Sequence, residues 1–143
     1  MRCVVDASVA VAWLLPSRRS QAIRRFWVEA ITDDWELLVP TMFYLETAST
    51  IRLRVALKEL TASEGDEVFE DLMALPVVER APHGLLQRAW TLAKRFGHGR
   101  IYDAQYLALA DIERCDLWTL DRRLIRSVQP QMQWLHTIDE EDK

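Results

Sequence analysis

Along this chain, short apolar runs alternate with longer stretches in which apolar residues recur every three or four positions. The short runs lie at Arg2–Val5, Glu36–Val39, Val77–Glu79, Asp116–Thr119 and 133–137, and their length and β-branched content predict strands. The longer patterns predict helices over 8–15, 18–32, 42–58, 62–74, 83–96, 102–114 and Arg122–Val128. Strand and helix in regular alternation predict a parallel sheet covered by helices, because parallel neighbours need a long crossover between them. The first run, RCVV, is apolar after its first residue, as expected of a central strand buried on both faces. Pro16-Ser17, Pro40-Thr41, Ala81-Pro82 and Gly97-His98-Gly99 punctuate the pattern at the predicted boundaries.

Four carboxylates interrupt this pattern. Asp6 follows the first strand and precedes SVAVAWLL, and Asp121 follows DLWT and precedes RRLI, so both stand at carboxyl ends of predicted parallel strands. Open α/β sheets hold their ligands at that edge. Asp103 stands within YDAQYLALADIER, which is apolar on nearly every side and predicted to be buried between the sheet and another helix. Glu46 shares a helical stripe with Met42, Ser49 and Leu53 and is the only charge on it. Taken singly, Asp6, Asp103 and Asp121 are equally suited to cap helices, and Glu46 to pair with Arg52 or Arg54. Taken together, they are a set of like charges that calls for a cation or for raised pKa values. Ser8, two residues after Asp6, and Thr119, two before Asp121, place hydroxyls at the same edge, where capping or strand propensity accounts for them equally well.

Oxygen donors without clustered His or Cys suit Mg²⁺ or Mn²⁺ rather than zinc. His83, His98 and His136 are scattered without ligand spacing, and no glycine pattern supports a dinucleotide or P-loop site. Cys3 and Cys115 are too few for a disulfide scaffold, and with no leader evident they predict the reducing cytoplasm. No apolar stretch reaches the roughly 20 residues of a membrane span.

Half of the 143 residues are hydrophobic, enough for one domain with a core, expected to span 1–143 with a short acidic tail at about 139–143. The net charge of -4 argues against a simple basic nucleic-acid binder. That sum has unlike parts, however. The tail DEEDK carries -3 and the four carboxylates another -4, which leaves +3 on the rest of the chain. Fifteen of the eighteen basic residues are arginine, the better bidentate phosphate partner. Arg122 and Arg123, directly after Asp121, and Arg100, in the glycine-flanked loop before Asp103, are candidates for phosphate contacts. Arg18, Arg19, Arg24, Arg25 and Arg126 follow them. Six tryptophans are assigned mainly to packing.

The order VVDAS, YLET, YDAQYLALA and TLDRRL resembles the PIN-domain ribonucleases, and among them the VapC toxins of bacterial and archaeal VapBC toxin–antitoxin pairs. The resemblance covers essentially the whole chain. It implies a three-layer α/β/α sandwich with a parallel sheet of about five strands. It also implies that Asp6, Glu46, Asp103 and Asp121 form a catalytic, metal-binding quartet for Mg²⁺ or Mn²⁺, supported by the hydroxyls of Ser8 and Thr119. The implied activity is hydrolysis of RNA phosphodiesters, by a homodimer held inactive by a VapB-like antitoxin. Two other readings of the residues stay open at this point: a non-enzymatic binding module, and a phosphohydrolase with Asp6 as nucleophile. The second is weakened because DAS lacks the second Asp of a D-x-D motif.

Overall fold

The computed structural model describes residues 1–129 and 131–138, so the predicted tail at 139–143 lies outside the described residues. Five strands, β1 (Arg2–Val5), β2 (Glu36–Val39), β3 (Val77–Glu79), β4 (Asp116–Thr119) and β5 (Leu135–Thr137), form one sheet ordered β3-β2-β1-β4-β5. Every neighbouring pair is parallel. The helices are α1 (Ala7–Leu14), α2 (Gln21–Thr32), α3 (Met42–Ala56), α4 (Ala62–Met73), α5 (Leu85–Phe96), α6 (Tyr102–Glu113) and α7 (Arg122–Val128). A single 3₁₀ turn, Pro16–Arg18, joins α1 to α2.

The order of the strands decides where the helices go. The chain steps outward from β1 to β2 and β3, then returns across β1 to β4 and continues to β5. Right-handed crossovers therefore set α1 to α4 on one face and α5 to α7 on the other. The packing agrees: α1 touches α2, α3 and α4, whereas α5 pairs with α6, which lies on β1 and β4. This is the expected three-layer sandwich. It leaves a topological switch point between β1 and β4, where the two chain directions part at the carboxyl edge.

The core explains the apolar runs. Cys3, Val4 and Val5 of β1 are completely buried, as are Leu38 and Val39 of β2 and Leu117 of β4. Ala104 and Tyr106 to Ala110 of α6 are buried almost all round, as the unbroken apolar pattern of that helix requires. On the opposite face, α3 and α4 approach so closely at Gly65 that a Cβ there would collide with Val55 Cγ2. Trp27 is buried, donates its indole N–H to the Val9 carbonyl at 3.3 Å, and stacks on Trp13. Trp35 and Trp118 both pack on Phe26, and of the six tryptophans only Trp90 is broadly exposed. Burial pushes the Cys3 thiol up to about 12, and both cysteines are free. Among the described residues, no helix is long and apolar enough to cross a membrane.

Several boundaries differ from expectation for local reasons. Helix α2 begins at Gln21, not at 18, because Ser20 takes the N-cap and accepts from the Ile23 N–H, while Pro16 turns the preceding residues into the 3₁₀ segment. Helix α5 begins at Leu85 after the left-handed Gly84. Strand β5 is shorter than 133–137, although the Trp134 carbonyl still accepts from the Leu117 N–H. The stripe through Met42, Glu46, Ser49 and Leu53 is not the core face of α3. That face is Phe43, Thr47 and Ile51, and Leu53 points to solvent.

Candidate active site

The switch point brings β1 and β4 side by side, and their carboxyl ends carry Asp6 and Thr119 into hydrogen-bonding contact. Asp6 is 6% exposed and sits at the floor of the edge. Its Oδ1 accepts the Ser8 hydroxyl at 2.5 Å and the Val9 N–H at 3.3 Å, and its Oδ2 accepts the Thr119 hydroxyl. Each hydroxyl also accepts a backbone N–H from the β4–α7 turn, Ser8 from Leu120 and Thr119 from Asp121, both at 2.9 Å. Asp6 thus does cap α1, but the cap is one part of a lattice joining two segments more than a hundred residues apart. Burial raises the Asp6 pKa to about 6, against the lowering effect of its three donors.

Asp121 caps α7, accepting from the Arg123 and Leu124 N–H groups at 2.9 and 3.2 Å. Asp103 does not cap α6. Ile101 holds that position without a side-chain bond, and Asp103 lies in the first turn, exposed rather than buried as the apolar pattern implied. Its pKa is raised, first by partial desolvation of the carboxyl and then by Asp121. Glu46 projects from α3 toward the same edge. Desolvation raises its pKa to about 7, helped by Asp6 and Asp103. Neither predicted arginine neutralises it through an observed pair: Arg54 instead grips Glu59, at 3.0 and 3.1 Å.

Three adjoining cavities run past Glu46, Asp103 and Asp121, while Asp6 lines none of them. The first, 570 Å³, is bounded by Ser8, Glu46, Thr50 and Arg18. The second, 760 Å³, shares Glu46 and adds Leu45, Tyr102, Asp103, Arg100 and Arg123. The third, 370 Å³, shares Asp103, Arg100 and Arg123 and adds Asp121 and His98. Carboxylates therefore occupy the middle of a cleft with arginines on either side. Arg100 faces this cleft, as does Arg123, whose Nε is 4.0 Å from Asp121 Oδ1. Arg122 lines none of these three cavities. Arg19 is committed elsewhere, with its guanidinium over the Trp13 ring and its Nε donating to the Trp13 carbonyl at 2.7 Å. His98, unremarkable in the sequence, belongs to the rim: its ring acts on Asp103 and bonds Ser127 at 3.0 Å. The Gly97 turn that ends α5 puts it there, with Gly97 at φ 67° and the His98 N–H returning to the Ala93 carbonyl.

The donor set tests whether a divalent cation fits. Among the described residues, no ion pair reaches Asp6, Glu46 or Asp103, and all three carboxyls are held above their ordinary pKa values. As placed, no three acidic, His or Cys groups among the described residues close into a coordination cage. The site is an open ring of oxygen donors short of positive charge. A hard, hydrated ion, which needs only one or two direct carboxylates, fits it.

An open parallel α/β sandwich with an acidic ring at its switch point defines a class of protein whose chemistry sits at the carboxyl edge of the sheet. A family model described as PIN domain matches residues 3–128, and the chain belongs to the PIN-domain family. Ribonuclease VapC9 of Mycobacterium tuberculosis is 34% identical over 131 residues, covering 90% of this chain and 92% of that protein. The crystal structure of PAE2754 from Pyrobaculum aerophilum superposes with a TM-score of 0.69 at 18% identity, covering 96% of this chain and 90% of that one. That of VapBC2 from Rickettsia felis, bound to a DNA fragment from its promoter, gives 0.67 at 12% identity and covers 97% of this chain and all of that one. Both solved structures share the fold.

Proposed function

We propose that this protein is a divalent-metal-dependent endoribonuclease, the toxin of a type II toxin–antitoxin pair. The observation that carries the reading is Asp6, a buried carboxylate braced by two hydroxyls, with Glu46 and Asp103 near enough to act on it and no ion pair reaching any of these three among the described residues. Its kinship with VapC ribonucleases gives the chemistry its substrate class, and the arginines of the cleft suit a polyanion. Mg²⁺ or Mn²⁺ is the expected ion, because every donor is a carboxylate or hydroxyl oxygen.

Asp6 and Asp103 would hold the cation, with Asp121 bound directly or through water. A cation held there would supply a lowered pKa for a bound water and positive charge against the phosphate oxygens. Ser8 and Thr119 keep both Asp6 oxygens oriented, an arrangement suited to a fixed ligand and poorly suited to an attacking nucleophile. Glu46, half-buried at the same edge, would accept the proton of the attacking water. Arg100 and Arg123 hold phosphates on one side of the scissile bond and Arg18 on the other. A VapB-like antitoxin and a second copy of the chain are the expected protein partners.

Cleavage of structured RNA by the purified protein tests this reading. Mn²⁺ should support cleavage, EDTA should abolish it, and Asp103→Asn should weaken Mn²⁺ binding about 10–100-fold by calorimetry. Cleavage that survives EDTA would overturn the metal-dependent mechanism.

The second cavity adds an expectation about the RNA itself. Tyr102 and Leu45, each next in sequence to a site acid, are 56% and 74% exposed there. An aromatic beside a phosphate-binding arginine suits an unpaired base, whose stacking is worth about 1–3 kcal/mol. Tyr102→Ala should therefore raise KM for a cleavable loop roughly 5–100-fold and leave kcat within about twofold. An unchanged KM would remove Tyr102 from the substrate path.

A further inference from the structure

His98 stands at the rim of the cleft with no task in the proposed chemistry, yet its one side-chain hydrogen bond has a fixed direction. Its Nε2 lies 3.0 Å from the Ser127 hydroxyl of α7. That hydroxyl already donates to the Leu124 carbonyl at 2.9 Å, one turn back in the same helix. A hydroxyl has a single proton to give, so the imidazole is the donor of the pair, and in the neutral ring the proton sits on Nε2. Nδ1 is buried and has no partner among the described residues, so a proton there would be an unmatched donor. The Phe96 ring lies beside the imidazole with centroids 6.1 Å apart, and the His98 N–H is held by the Ala93 carbonyl at 2.8 Å.

The bond joins two segments that each carry an arginine of the cleft. The left-handed turn at Gly97 sends the chain from α5 into the loop that holds Arg100, and His98 is the first residue past that turn. On α7, Ser127 stands four residues after Arg123 and therefore on the same helical face. His98, Arg100, Arg123 and Ser127 all line the third cavity, beside Asp103 and Asp121. Arg95 Nη2 donates to the Gln131 side chain at 3.2 Å and ties the end of α5 to the turn after α7, but it lies before Gly97 and leaves the loop itself unheld. Among the described residues, the bond from His98 to Ser127 is the one side-chain hydrogen bond between this loop and α7. We propose that His98 is a positioning residue: its Nε2–H, donated to Ser127, fastens the Arg100 loop to the face of α7 that carries Arg123, and so sets the separation at which the two guanidiniums grip a phosphate of the substrate. The bond stands on its own geometry; its consequence for RNA rests on the nuclease reading.

Two measurements separate the bond from its consequence. Thermal unfolding at pH 8 without divalent ions compares wild type, His98→Ala, Ser127→Ala and the double variant. Ser127→Ala should lower Tm by about 2 °C when His98 is present and leave it unchanged when His98 is alanine. In cleavage assays with Mn²⁺, His98→Ala and Ser127→Ala should each raise KM about fivefold with kcat within about twofold. His98→Gln, which keeps an N–H at about the reach of Nε2, should recover most of that loss. In an Arg100→Ala background, His98→Ala should add less than about twofold, because the loop it holds no longer has a guanidinium to place. Additive Tm shifts overturn the bond. Coupled Tm shifts with an unchanged KM, or a KM loss that persists in full without Arg100, overturn the positioning role. If the wild type cleaves no RNA, the nuclease reading falls and the positioning role with it, while the unfolding cycle still decides the bond.

Discussion

Asp6→Asn is expected to lower RNA cleavage by about 10²–10⁴-fold and, in the same protein, to raise the melting temperature without metal at pH 8. The first effect follows from removing the best-fixed ligand of the proposed ion, whose charge stabilisation is worth several kcal/mol in the transition state. The second follows from burial. Asp6 is almost completely enclosed, and its charged form is disfavoured strongly enough to raise its pKa to about 6. Asparagine keeps the shape and a carbonyl for the Val9 N–H. Its amide can donate to Ser8 or Thr119, whose hydroxyl oxygens retain acceptor capacity after binding Leu120 and Asp121. The variant thus exchanges activity for stability, as charged sites in closed surroundings often do. Single-turnover cleavage and calorimetry on one preparation measure both effects. Activity within tenfold of wild type, or a lower Tm, would remove Asp6 from the centre of the mechanism.

The wild type should lose stability as pH rises, over a window set by the same carboxyls. Unfolded, Asp6 and Glu46 titrate near 3.8 and 4.5; folded, they titrate near 6 and 7. Between those values the native state holds more protons than the unfolded state, so unfolding free energy falls as pH increases from about 4 to about 7 and then levels off. Asp6 alone accounts for about 3 kcal/mol, and the half-buried Glu46 contributes less because solvent screens it. For a chain of this size that corresponds to a drop of about 10 °C in Tm. Mn²⁺ should reverse the loss at pH 8 and have little effect at pH 5, where protons compete for the same oxygens. Surface ion pairs weaken on the acid side and mask part of the trend, so the informative quantity is wild type minus Asp6→Asn across the range. A flat difference between pH 4 and pH 7 would mean that Asp6 ionises freely in the folded protein.

The strands and the sheet edge were legible because each depends on a local pattern. RCVV, ELLV and DLWT are short apolar runs followed by a turn, and parallel sheets bring such run ends to one side. The four acids could be grouped in advance for the same reason. What could not be read depends on neighbours distant in sequence. Nothing local marks Phe43, Thr47 and Ile51, rather than Met42 and Leu53, as the inner face of α3, because α3 carries apolar residues on both stripes. Asp103 lies within an apolar pattern, yet the first turn of α6 emerges from the layer it packs in. His98 and Arg19 depend instead on near neighbours, whose effect lies in turn and side-chain geometry that residue types alone do not specify. The turn at Gly97 carries the former to the acids, whereas the Trp13 ring and carbonyl, six residues before Arg19, hold the guanidinium of the latter.

The switch-point topology has a consequence for when the acidic site comes into being during synthesis. The acids come from after β1, from α3, from the start of α6 and from after β4, so no single strand–helix unit holds more than one of them. β1 also lacks one of its two neighbours until β4 arrives, and Asp6 lacks the Thr119 hydroxyl that fixes its second oxygen. A chain still being translated therefore has no assembled site until β4 has paired with β1. Synthesis from the amino terminus delivers Asp121 last of the four, so the edge of the sheet closes around its carboxylates only once β4 and the turn after it have been made.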